Sequence, residues 1–380
     1  MSKRWLFTAV ALLWAAPAFS QGVELQSKAL KLTFSGRVQV QAGTTTCDQF
    51  PVPSNSACGE QVAGVDLRLR RARFTVEAQI NDNIDFKIQP DYSAITNIGL
   101  KDAWGRYTWS KAARLKAGNF KRPFGGFTLV SSTQILTIER VLAVRGLPNL
   151  IAPSYSSFTL AFNVSDRDVG VQLDGTTNNG LFSYWAGVFT GASELNNRDT
   201  NTEKQYMGRG QINLKSVLNM SLKIAMAAAA SDQGFELPTT EKKTKYFYDY
   251  EVFADWGTFG GGAHVQAGYI FGDNPLQASG GGAIDLPAGD EFASMRSWQV
   301  IGSWKFPIGS GTMALEPLFR VSWADGNTSL ADDEVWGLTP GIQIFFYKRN
   351  KLAINWDFVV PTSASLRSEN SLKAQWQFHF

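Results

Sequence analysis

Leu30-Lys31-Leu32-Thr33-Phe34-Ser35-Gly36-Arg37-Val38-Gln39-Val40-Gln41-Ala42 alternates without a slip: each even position is apolar or Gly and each odd one is polar. A period of two places successive side chains on opposite faces of a strand. The run is longer than the ~5–6 residues typical of a strand in a soluble sheet. It matches the ~9–11 residues that a tilted strand needs to cross a bilayer.

The pattern recurs down the chain. Ala72, Phe74, Val76, Ala78 and Ile80 oppose Arg71, Arg73, Thr75, Glu77 and Gln79; near the end, Leu372, Ala374, Trp376, Phe378 and Phe380 oppose Lys373, Gln375, Gln377 and His379. Sixteen such segments are read: 30–42, 67–80, 85–92, 100–109, 114–121, 166–175, 181–191, 205–217, 219–231, 245–257, 260–271, 294–306, 312–325, 334–347, 351–361 and 370–380. The second changes phase near Arg70-Arg71, as a bulge would make it. The connectors sort by length. Those at 43–66, 93–99, 122–165, 192–204, 232–244, 272–293, 326–333 and 362–369 are long; those at 81–84, 110–113, 176–180, 218, 258–259, 307–311 and 348–350 are short. Alternating strands with short turns at one end and long loops at the other describe an all-β, transmembrane antiparallel β-barrel of about 16 strands. Closure gives every strand two neighbours, which lipid demands. Aromatic residues near segment ends, such as Trp104, Tyr107, Trp109, Tyr246, Tyr248 and Tyr250, suit interfacial girdles.

Composition agrees. A 44% apolar content at low net charge excludes disorder, and 18% charged residues is below the ~25% of ordinary soluble domains. No helical membrane span is available in the body of the chain. Residues 1–20 read as an export signal: Lys3 and Arg4, an apolar run from Trp5 to Ala16, then Ala18-Phe19-Ser20 before the cut. The barrel domain is then 21–380. In an exported chain Cys47 and Cys58, both in the first long connector, are expected to form a disulfide worth ~3 kcal/mol in the chain-entropy model. With two His in the chain, His264 and His379, no metal site and no cofactor is expected. His264 and His379 take the phase of the lumen rather than of lipid, which argues against a lipid hydrolase.

Four stretches resemble one family, the phosphate-selective porins O and P of Gram-negative bacteria. They are Gly36-Arg37-Val38-Gln39, Leu69-Arg70-Arg71-Ala72-Arg73-Phe74, Leu100-Lys101-Asp102-Ala103-Trp104, and Lys116 to Gly125 running on to Ser131-Ser132 and Glu139-Arg140. The resemblance implies a trimeric 16-stranded outer-membrane barrel whose third loop, about 122–165, folds into the lumen. In phosphate-specific members lysines flank the Ser-Ser pair; Thr128 and Thr133 stand in those neighbourhoods here. Fold therefore transfers better than phosphate specificity.

A porin works by the field in a narrow polar lumen. Residues 30–145 hold sixteen Lys and Arg against nine Asp and Glu, while 146–380 hold seventeen against twenty-three. The basic part contains the third loop. The lumenal candidates for meeting an anion are Arg37, Arg71, Arg73, Lys121, Arg122 and Arg140, with the hydroxyls of Ser131, Ser132 and Thr133 replacing hydration water. Against that, lumenal Arg also pairs with lumenal acid, and Glu139-Arg140 reads better as a tie between loop and wall. The expected function is a water-filled outer-membrane channel for small solutes, moderately selective for anions such as phosphate. A weakly selective diffusion porin and a plugged structural barrel are the alternatives. The partners are outer-membrane lipid and small anions, not nucleic acid.

Overall fold

The computed structural model describes residues 23–26, 30–47, 66–93, 98–142, 154–191, 203–219, 221–232, 244–255, 262–278, 292–309, 312–363 and 368–380. The export signal and Cys58 lie outside the described residues. Sixteen long strands run in chain order: β1 Lys31–Cys47, β2 Asp66–Gln79, β3 Ile84–Asp91, β4 Gly99–Ser110, β5 Ala113–Lys121, β6 Arg167–Thr176, β7 Phe182–Phe189 and β8 Gln205–Asn213 make the first half. The second half is β9 Leu222–Ser231, β10 Lys245–Ala254, β11 Ala263–Ala278, β12 Phe292–Trp304, β13 Met313–Asp325, β14 Val335–Tyr347, β15 Asn350–Pro361 and β16 Glu369–His379.

Each strand pairs antiparallel with the next, and β16 pairs with β1 through registers such as Gln375↔Gln41, so the sheet closes. Closure removes the edges that lipid cannot satisfy. Two short stubs complete the ring. Phe306–Ile308 carries on after β12 and pairs with the start of β13. Val23–Gln26 pairs with the start of β1, Val23 opposite Phe34, just past the point where Phe380 exchanges backbone hydrogen bonds of 3.0 and 3.1 Å with Gly36. Residues 23–26 thus continue the line of the last strand.

Burial is inverted relative to a soluble protein. In β10, Lys245, Phe247, Asp249, Glu251 and Phe253 are buried while Tyr246, Tyr248, Tyr250 and Val252 are exposed. The exposed set is the lipid face. The alternation seen in sequence is therefore polar-in and apolar-out. The phase change at Arg70-Arg71 is a bulge: Gln39 faces Arg71 and Val40 faces Leu69, which leaves Arg70 as the extra residue. The connector between β8 and β9 is longer than the single residue read from sequence. Lys215–Leu218 forms one helical turn there, ended by Asn219 in the left-handed region at φ 53°. Its exposed Val217 and Leu218 continue the apolar pattern and disguise the turn.

Candidate functional site

The third long connector leaves β5 at Lys121 and rejoins at β6. It starts with Pro123-Phe124-Gly125-Gly126, and Gly125 takes φ 74°, a conformation glycine adopts without strain. A short helix α1, Gly126–Leu129, follows. The backbone N–H of Gly125 donates to Asp249 Oδ2 at 3.2 Å, and that of Gly126 donates to Glu251, both on β10. The loop has therefore turned into the barrel. From there it crosses the lumen, and its backbone groups are satisfied by wall side chains, as burial requires. Gln39 donates to Ser132 O at 3.1 Å, Gln377 to Thr133 O at 3.1 Å and Lys351 to Ile135 O at 3.0 Å. Gln343 donates to Leu136 O, and Asn355 Oδ1 accepts from Ile138 N at 2.5 Å. Arg320 donates to the carbonyls of Glu139 and Arg140, each at 3.1 Å.

The returning arm forms helix α2, Tyr155–Ala161, whose first turn is capped by Ser154 Oγ accepting from Ser157 N at 3.3 Å. Tyr155, Phe158 and Phe162 join Phe124 and Phe127 in one apolar cluster against Phe247, Phe253, Ile270, Met295 and Leu318. These wall residues have the lumenal phase, so this apolar core lies inside the barrel against one part of its wall. Gly268 makes room for it: a Cβ there would lie 2.8 Å from the Phe127 ring. The loop is packed to the wall by burial of aromatic surface.

What remains is a cavity of about 1130 Å³ between the loop and the wall, most of it along β1 to β9. Fourteen Lys and Arg line it against five Asp and Glu. All five carboxylates are matched: Glu77 with Lys87 at 2.8 Å, Glu139 with Arg70 at 2.5 Å, Asp255 with Lys223 at 2.8 Å, and Asp102 and Asp166 with Arg167 at 2.6 and 3.0 Å. Among the described residues, seven of the lining cations have no carboxylate within ion-pair distance: Arg37, Lys101, Lys116, Lys121, Arg140, Lys215 and Arg349.

The residues singled out in the sequence divide. Arg37 lines the cavity and donates to Gln89 Oε1 at 3.1 Å and to Ser131 Oγ at 3.3 Å. Ser131 Oγ is 3.1 Å from Thr133 Oγ1, and the Ser132 hydroxyl is buried without a partner. Arg71 donates to Gln39 Oε1 at 2.7 Å and reaches Glu139 at 3.5 Å; Arg73 pairs with Asp91 at 2.7 Å. Lys121 donates to the carbonyls of Thr128, Leu129 and Val130, so it clamps the end of α1 while its charge stays at the cavity. Arg140 donates to Phe127 O at 3.0 Å and Val130 O at 2.6 Å.

Arg122 is a correction to the expected lumenal set. It is fully buried, absent from the cavity wall, and spent on Gln205 Oε1 at 2.7 Å, Asn163 Oδ1 at 2.8 Å and Ser165 O, with Asp168 at 3.6 Å. The neighbouring residue takes the opposite side of the wall exit, so Arg122 points back into the returning arm. Lys101, Lys116, Arg167 and Arg209 also line the cavity and were not singled out. The signal was available: Lys116 faces Arg106 in the register, on the inward phase of its strand.

The loop residues carry the imprint of this field. Burial raises the Glu139 carboxyl, but its bond to Arg70 and the charge of Arg71 outweigh that and hold it below the usual range. Burial likewise opposes ionisation of Asp166, and Arg167 and Lys121 bring it down to about 2. Burial lowers Arg140 to about 10, opposed by Asp166 and assisted by Arg167 and Arg73.

Comparison with known proteins fits this geometry. The sequence matches the phosphate-selective porin O and P family over residues 55–235, the part that holds β2 to β9 and the infolded loop. No curated protein matches the chain in sequence. Among solved structures, an anion-selective porin from Comamonas acidovorans aligns with a TM-score of 0.62 at 11% identity, covering 92% of this chain and 100% of that one. The outer membrane channel DcaP of Acinetobacter baumannii aligns with a TM-score of 0.58 at 10% identity, covering 94% and 100%. A trimer form of OmpT, an outer membrane protein of Vibrio cholerae, gives 0.54 at 10% identity, covering 92% and 100%. At these identities the structural likeness shows the fold. With the sequence match across the strands that flank the infolded loop, it makes this chain an outer-membrane porin barrel that is similar, over residues 55–235, to the phosphate-selective porin O and P family.

Proposed function

We propose that this porin conducts small anions with moderate selectivity and holds phosphate weakly. One observation carries the reading: every carboxylate on the cavity wall is matched by a cation, while seven cations are left without one among the described residues. An ion passing ~4 Å from one fixed charge interacts by a few kcal/mol at most in a partly screened site. Several such charges along one path set the sign of the permeant ion without trapping it. Tight phosphate binding needs convergent donors. At Ser131-Ser132, among the described residues, Arg37 is the one cation that donates, to Ser131 Oγ, and Thr128 spends its hydroxyl on Gly125 O at 2.6 Å.

The loop supports the reading as a fixed constriction rather than a gate, since its backbone is bonded to side chains of six wall strands and its rings to an apolar core. The same fold supports a channel rather than an enzyme, acting on solutes and assembled as a homotrimer. The test is the reversal potential in a KCl gradient across a planar bilayer. Chloride-side selectivity is expected, with weak block of chloride current by millimolar phosphate. Cation selectivity refutes the reading, and block at micromolar phosphate refutes the weak-binding half of it.

A further inference from the structure

Lys116 stands apart from the other cations of the channel. Its Nζ lies 4.4 Å from the centroid of the Phe120 ring and 5.5 Å from that of Trp104, and it has no hydrogen bond or ion pair among the described residues. A lysine ammonium is strongly hydrated, and a seat between two rings replaces part of that water with weaker partners. An anion arriving from the cavity restores the loss.

Its partners in the sheet register are polar, Arg106 and Gln172, and Arg106 shares the Trp104 ring at 5.5 Å, yet apolar surface also faces the cavity beside this cation, where a passage for hydrated inorganic ions has no use for it. Trp104 and Trp185 are half-buried in the wall and line the cavity. Leu160 of α2 lines it from the loop side with 38% of its surface exposed, and Leu129 joins it there. Trp104 packs by one side against the apolar core that holds α2, so the ring is fixed. Apolar surface left wet in a lumen is unfavourable, and a ligand with an apolar body recovers that free energy by covering it.

Resting on the anion preference proposed above, we propose that the channel favours organic anions with a flat apolar body, the aryl carboxylates, over inorganic oxyanions. The carboxylate meets Lys116, and the ring lies against Trp104 and the loop leucines that share the cavity. A flat body suits a site whose fixed wall is an indole, because offset stacking rewards planarity.

The experiment compares half-block of chloride current by sodium benzoate and sodium acetate, which carry the same charge. Benzoate is expected to block at a concentration at least about tenfold lower. Trp104→Leu and Leu160→Ser should each bring the two anions to within about twofold, while the reversal potential in KCl stays that of the wild type. Leu160 is exposed, so its variant keeps the test valid if Trp104→Leu fails to fold. Equal block by the two anions overturns the proposal and leaves anion selectivity standing. So does a benzoate preference unchanged in the folded variants. A cation-selective reversal potential in the wild type overturns the underlying reading itself.

Discussion

The Arg70 guanidinium grips Glu139 with two donors, Nε at 2.5 Å and Nη2 at 2.9 Å from the two carboxylate oxygens. Arg71 Nη2 reaches the same carboxylate at 3.5 Å and Arg68 Nη2 at 3.9 Å, so one acid of the loop serves three cations of β2. The bulge makes this possible: it turns two consecutive arginines toward one partner. The pair joins the loop to the wall opposite its aromatic anchor.

Glu139→Gln keeps the shape and removes the charge. Charge-assisted hydrogen bonds contribute about 1.5–3 kcal/mol when buried, and less within reach of solvent. The barrel is therefore expected to unfold at a slightly lower temperature. Its reversal potential should move further toward anions, because Arg70 and Arg71 lose their counter-charge. A shift toward cations would show that Glu139 does not act on the permeation path.

Arg37 and Arg122 should behave as opposites. Arg37→Glu is expected to move the reversal potential toward cations while leaving heat-modifiable gel migration unchanged. Arg122→Met removes a fully buried guanidinium and strands Asp168 and four oxygen acceptors. Removing one partner of such a buried network typically costs about 3–5 kcal/mol, so this variant should fold poorly and, where folded, keep its selectivity. Equal selectivity shifts in both would contradict the placement of Arg122.

Asp333, in the loop between β13 and β14, offers a pH test. Burial and the neighbouring Asp325 raise its carboxyl to about 6 from an ordinary 3.8. A folded-state value raised above the unfolded one gives stability that is full below about 3.8 and lost as pH rises through about 6. Asp333→Asn should therefore raise the unfolding temperature at pH 8 and leave it nearly unchanged at pH 4. The reverse order would show that Asp333 gains a partner in the charged form.

Cys47 ends β1, where the first long connector departs toward Cys58. We expect the two to be bridged in the exported protein. Thiol labelling of unreduced, denatured protein should modify neither, and both after reduction; stoichiometric labelling before reduction excludes the bridge.

The sequence by itself determined the barrel. Alternation is local, set by the opposite directions of successive side chains, and it marks lipid and lumen faces wherever one face is uniformly apolar, as in Leu30 to Ala42. Loop sorting then fixed which end is which. The site was legible only in part, because the loop's path depends on partners far away in the chain. Glu139 finds Arg70 at a separation of 69 residues and Arg320 at 181. Its aromatic residues find Phe247, Ile270 and Met295, lumenal apolar residues that break the alternation in the later strands. Lys121 and Arg122 are adjacent and alike in sequence, yet one faces the cavity and the other is buried. Tertiary structure decided that, since a buried guanidinium is tolerated only where several acceptors converge on it, and those of Arg122 come from Asn163, Ser165 and Gln205.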